Sequence, residues 1–121
     1  MEKRISLRKD TDFQRVYKKN FAFYNKDFTI LIKKNNLRGP RFGFSLSKKI
    51  GKANVRNSVK RKLRDIVRLN YKNLNNVDII IIPKKHTTEF TYDRLKKSLG
   101  HCLSKALSLI HISEPTRLRR I

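Results

Sequence analysis

Residues 41–71 read RFGFSLSKKIGKANVRNSVKRKLRDIVRLNY, and within them the hydrophobic period changes from two residues to that of a helix. Over 42–47, Phe42, Phe44 and Leu46 alternate with Gly43, Ser45 and Ser47, the pattern of a strand with one buried face. Asn54 is the expected N-cap of a helix running through about Tyr71. At helical spacing Val55, Val59, Leu63, Ile66 and Val67 share one arc. Arg56, Lys60, Arg61, Arg64 and Arg68 occupy the adjacent arc, with Asn57 among them. A core stripe and a basic stripe therefore run side by side.

Downstream, VDIIII (77–82) ends at Pro83 and is apolar on both faces, which predicts a strand near the sheet centre. Strand, helix and strand in immediate succession imply a parallel pair joined by a helical crossover, right-handed by default. Upstream, FTILIK (28–33) alternates, with Phe28, Ile30 and Ile32 opposite Thr29, Leu31 and Lys33. The segment NNLRGP (35–40) reads as a hairpin connection to the next strand. A short helix is expected from Asp10, with Phe13, Val16 and Tyr17 on one face, and another short strand fits near 21–24. Thr91 can cap a last helix that buries Tyr92, Leu95, Leu99, Cys102, Leu103 and Ala106 and turns Arg94, Lys96, Lys97 and Lys105 outward. Gly100 weakens this helix by about 1 kcal/mol without having to break it. The fold class is α+β: a small mixed β-sheet packed with helices, in the order α-β-β-α-β-α.

The chain of 121 residues fits one domain, and 31 Lys and Arg against 9 Asp and Glu leave a net charge of +22. Ten of the basic residues lie within 48–72, where Asp65 is the sole acid. Arg56, Lys60, Arg64 and Arg68 repel at every i,i+4 step, whereas a merely solvated helix gains about 0.2–0.5 kcal/mol per pair by mixing signs. That arrangement points to a polyanion. A membrane-surface helix would need its apolar stripe exposed, and here the stripe is better used against the sheet, so nucleic acid is the expected partner.

No apolar stretch reaches the length of a membrane span and no signal peptide is recognisable, so a cytoplasmic protein is expected. Cys102 is the single cysteine, which excludes an internal disulfide, and its leucine neighbours predict a small buried hydrophobe. His101 and His111 lie ten residues apart and read as surface histidines, so no metal site is expected on this chain. A protein nuclease would need acidic metal ligands or a general base in a shared site. The acids are scattered, with Asp65 and Asp78 alone in the middle of the chain, so no catalytic residue is assigned.

The stretch RFGFSLSKKIGKANVRNSVKRKLRD (41–65) resembles the bacterial ribonuclease P protein family. The family signature is met at Arg41, Gly43, Ser45, Ser47, Lys48, Lys49, Gly51, Ala53, Arg56, Asn57, Lys60 and Arg61. The likeness extends over about residues 4–107, read as a single RNA-binding domain spanning 1–107. It implies the small subunit of a ribonucleoprotein endonuclease that removes the 5′ leader of precursor tRNA. The catalytic centre would lie in the RNA subunit and its Mg²⁺ ions. The protein would bind that RNA and the leader, broaden substrate specificity and support Mg²⁺ affinity, with no obligate protein partner. The resemblance also implies a left-handed crossover in place of the default.

By the same resemblance Lys48, Lys49, Lys52, Arg56, Asn57, Lys60 and Arg61 would contact the catalytic RNA, with Arg64 and Arg68 extending the basic arc. Phe13 and Tyr17 would line a cleft for the single-stranded leader, where stacking tolerates any base. Strand parity adds Leu31 to that cleft, with Ser45 and Ser47 on the neighbouring strand as phosphate donors. Two positions depart from the pattern: Ser58 stands where a second signature arginine is common, and Leu31 where the cleft often has a strand aromatic. Residues 108–121 do not resemble the family's basic terminus and look like translated adapter or vector sequence, so they are assigned no function.

Overall fold

The isoleucine run at 77–82 becomes an inner strand of a four-stranded sheet. The computed structural model describes residues 14, 16, 21–34, 40–71, 74 and 76–113, the last five as backbone. Its strands are β1 (Phe21–Tyr24), β2 (Phe28–Lys34), β3 (Arg41–Phe44) and β4 (Val77–Pro83). Its long helices are α1 (Ala53–Asn70) and α2 (Tyr92–Ser113), and short 3-10 helices span Lys48–Ile50 and Lys85–Glu89. The expected strand near 21–24 is present as β1. Gln14 and Val16 are helical, while Phe13, Tyr17 and the expected caps at 10–12 lie outside the described residues.

The strand order is β1-β2-β4-β3. β4 pairs antiparallel with β2 and parallel with β3, so α1 is the crossover of a βαβ unit. This corrects the hairpin reading of 35–40: β2 and β3 are not neighbours, because β4 is inserted between them. A strand apolar on both faces gains most by having a neighbour on each side and cover on each face. Ile79, Ile80 and Ile81 are accordingly all fully buried. The hairpin that does form joins β1 to β2. Asn25 closes it by accepting from the backbone N–H of Asp27 and of Phe28 at 2.9 and 2.7 Å, a turn geometry that Asn adopts readily.

One sheet face, with Phe28, Ile30, Ile32, Phe42, Ile79 and Ile81, packs against both helices. α1 contributes Val59, Leu63, Ile66 and Val67, and α2 contributes Leu95, Leu99, Cys102, Leu103 and Ala106. Each such aliphatic side chain contributes about 1.5–3 kcal/mol by leaving water. The four from α1 outweigh the i,i+4 repulsion along its basic arc, which amounts to roughly 1 kcal/mol. Thr91 caps α2 as expected, its Oγ1 accepting from the Arg94 N–H at 3.2 Å. The helix runs unbroken through Gly100, where a β-carbon would sit 3.3 Å from the Tyr71 hydroxyl oxygen. Cys102 is fully buried, and burial pushes its thiol pKa up.

Candidate nucleic-acid interface

α1 starts two residues earlier than its sequence suggests: Ala53 is its first residue and Lys52 its N-cap, in place of Asn54. The preceding segment explains the difference. Ser47 caps the short 3-10 helix, whose turn closes with Ile50 N–H donating to the Ser47 carbonyl at 3.0 Å. Gly51 then adopts φ 156°, ψ −169°, a backbone region essentially restricted to glycine, and redirects the chain into the helix. Lys48, Lys49 and Lys52 are exposed around this bend.

The start of α1 has no acidic residue in its first turn and no side-chain cap. Its first N–H groups and the positive end of its dipole thus face the same region as three lysines. Cations at that end are electrostatically misplaced unless an anion joins them. Arg56, half-buried in the next turn, has an Nε that is buried without any hydrogen-bond partner. Along the arc, Asn57 and Arg61 are exposed, and Lys60 and Arg64 are half-buried.

Arg68 differs from the rest of the arc. Its guanidinium donates to Asp65 at 2.7 Å, and Asp65 also accepts from the Tyr92 hydroxyl at 3.1 Å. Hydrogen bonds from Arg68 and then Tyr92 hold the Asp65 carboxyl below the usual range. Sequence spacing placed Arg68 in the basic stripe; the structure adds that part of its charge is already answered.

The second surface is the other face of the sheet. Register aligns Leu31 with Ile80 and Ile80 with Gly43, so these three form one row across β2, β4 and β3. The next row toward the sheet end is Thr29 and Ile82, and Ser45 N–H extends the ladder by donating to the Ile81 carbonyl at 3.0 Å. Val16 is buried here, packed with Ile80, Leu31 and Ile82. Leu31 and Gly43 therefore share a face as parity predicts, but with a strand between them, roughly 10 Å apart at about 4.8 Å per strand. Ser47 does not join them. β3 ends at Phe44, and Ser47 instead leads into the 3-10 helix beside the lysines. The expected 42–47 strand is shorter because that turn takes over its last residues.

The opposite end of this face carries a charged row of Lys33, Asp78 and Arg41, whose neighbours in register place them on one side of β2, β4 and β3. In the sequence Asp78 stands as an isolated acid. The signal available was a lone carboxylate in an isoleucine strand, which burial makes untenable without a partner.

A further polar cluster escaped the sequence entirely. Asp27, 4 % exposed, accepts from the Ser98 hydroxyl and contacts His86 Nε2, both at 2.6 Å. Asn25 Nδ2 donates to the Ser98 carbonyl at 2.9 Å, so the cluster ties the β1–β2 turn to α2. Desolvation opposes ionisation of Asp27, but the hydrogen bonds from Ser98 and His86 outweigh it and hold the carboxyl below its ordinary value. Among the described residues no three His, Cys, Asp or Glu side chains gather as a metal site, and no helix is long and apolar enough to cross a membrane.

The Ribonuclease P family model matches residues 1–107. The ribonuclease P protein component of Finegoldia magna is 43 % identical over 107 residues, covering 88 % of this chain and 94 % of that protein. Among solved structures, the Staphylococcus aureus RNase P protein superposes with a TM-score of 0.79 at 33 % identity, covering 84 % of this chain and 94 % of that one. The Thermotoga maritima RNase P protein gives 0.76 at 30 % identity, covering 83 % and 96 %.

Proposed function

The chain belongs to the ribonuclease P protein family, the protein side of a tRNA-processing ribonucleoprotein, and we propose that it holds two RNAs by two separate surfaces. The lysine bend and the first turns of α1 bind the catalytic RNA. The Leu31–Ile80–Gly43 face, with the helix that carries Val16, receives the single-stranded 5′ leader of precursor tRNA.

The observation that carries the first assignment is Arg56, whose Nε is buried and unpartnered beside an uncapped helix start and three exposed lysines. A phosphate supplies the missing acceptor, neutralises cations at the wrong end of the dipole and releases counterions from the RNA. Asn57, exposed beside Arg56, can both donate and accept, and so orients a ribose or base edge. Lys60, Arg61 and Arg64 continue the contact along the backbone of the same RNA, with Arg68 contributing less.

For the second surface, the face is mostly apolar and is covered at its middle by Val16 on Ile80, while Leu31, Thr29 and Ser45 beside that cover are only half-buried and offer an extended strand a place to lie. Phe13 and Tyr17 lie outside the described residues; in this reading they flank Val16 and stack on leader bases.

Among the described residues no set of acidic side chains gathers in the way a catalytic divalent ion needs. Asp27, Asp65 and Asp78 stand on separate elements, each already engaged by a hydroxyl, histidine or arginine. We therefore assign Mg²⁺ to the RNA subunit and hydrolysis to that RNA. This chain supplies binding, orientation and charge neutralisation.

Reconstitution tests the proposal. With the cognate RNA, the protein should raise precursor-tRNA cleavage most at low Mg²⁺, and the protein alone should cleave nothing. Equal cleavage with and without it across Mg²⁺ concentrations would overturn the reading.

A further inference from the structure

Tyr24 ends the edge strand β1 with 62 % of its surface exposed, although its ring belongs to a folded sheet. Register pairs it with Thr29, and it pairs Ala22 with Leu31. Side chains of paired strands share a face, so Tyr24 stands on the Leu31 side of the sheet, diagonal to Leu31 at roughly 7–8 Å. The other exposed aromatic, Phe21, is on the opposite face with Phe23. No hydrogen bond or ring contact from another described residue holds Tyr24.

We infer that Tyr24 is a base-stacking residue for single-stranded RNA at the β1 edge of the leader face, supplying the ring that the strand position Leu31 lacks. The inference rests on the leader reading above and extends it by one residue and one strand. Three observations converge on this occupant. The ring is open on a face whose middle is already covered at Val16, so an extended strand leaving that cover crosses β1 next. Lys26 is exposed two residues away, so a cation stands at the same end of β1 as the ring. A net charge of +22 disfavours a second copy of this chain and favours a polyanion. An exposed tyrosine combines a π-face that accepts any base with a hydroxyl that tolerates water.

The test uses the complex reconstituted with the catalytic RNA and measures affinity for mature tRNA and for precursors with leaders of increasing length. Wild-type protein should show a leader-dependent gain. Tyr24→Ala should remove roughly tenfold of that gain for the longer leaders, leave mature tRNA unchanged, and be rescued by Tyr24→Phe. Unchanged thermal unfolding of Tyr24→Ala confirms that the fold is intact, as expected for an exposed ring at a strand end. A wild-type gain that Tyr24→Ala leaves whole overturns this inference alone. Absence of any gain in wild type overturns the leader reading and this inference with it. Loss of self-association in Tyr24→Ala, with leader preference intact, would assign the ring to a second copy and likewise overturn the inference.

Discussion

Arg41 holds Asp78 by two parallel hydrogen bonds, Nε to Oδ1 at 2.9 Å and Nη2 to Oδ2 at 2.8 Å. The pair bridges β3 and β4 in register, with Asp78 3 % and Arg41 14 % exposed at the side chain. A carboxylate in the central strand is costly to desolvate, and the planar guanidinium fork answers it with two parallel donors.

Removing either partner leaves the other charge buried. Asp78→Ala and Arg41→Ala should each lower unfolding stability by about 3 kcal/mol, read from urea titrations. Arg41→Lys should recover only part of the loss, because an ammonium cannot make the two parallel bonds. Equal stability of wild type and Asp78→Ala would show that the pair does not hold β3 to β4.

Gly51 sets the angle between the lysine bend and α1. A β-carbon there meets a backbone disfavoured for side chains and stands 3.3 Å from Val55 Cγ1. Gly51→Ala should therefore cost about 1–3 kcal/mol of stability. Because the strain falls between Lys49 and Arg56, RNA affinity should drop as well. Thermal unfolding and RNA binding on one preparation would check both.

The basic arc is not uniform. Arg56→Ala and Lys60→Ala should each flatten the slope of log affinity against log salt for the catalytic RNA by about 0.7–0.9. Arg68→Ala should flatten it less, since Asp65 already answers part of its charge at 2.7 Å. Equal slopes for all three variants would contradict the role given to the Asp65 pair.

Asp27 predicts an acid limb of stability. Its carboxyl titrates lower in the fold than in the unfolded chain, where the value is about 3.9. The contribution is thus present above the unfolded value and lost as pH falls through the folded one. Asp27→Asn should lower stability at pH 7, leaving Ser98 and His86 with a poorer acceptor, by about 1–3 kcal/mol. The gap between the two proteins should close as pH falls below about 4. A gap independent of pH would place the effect in packing rather than charge.

Much of this was legible in the sequence because it is written locally. The isoleucines of β4, the alternation of β2, and the two stripes of α1 follow from periods of two and 3.6 residues. The basic stripe was legible for a further reason: like charges at i,i+4 are unfavourable in a free helix, so their presence already implies an anion. The Leu31 face was half legible. Parity settles which side chains share a face of a strand, but says nothing about which strand lies alongside.

What the sequence by itself determined, then, are the elements, their faces and the location of the charge, since each depends on neighbours a few residues away. Only the tertiary structure decided that β4 enters between β2 and β3, and that Arg41 meets Asp78. It alone brought Asp27, His86 and Ser98 together and left Tyr24 open on the Leu31 side of the sheet. These are pairings between residues far apart in the chain. They are chosen by which whole arrangement buries the apolar faces and answers each buried charge, a balance that no single segment carries.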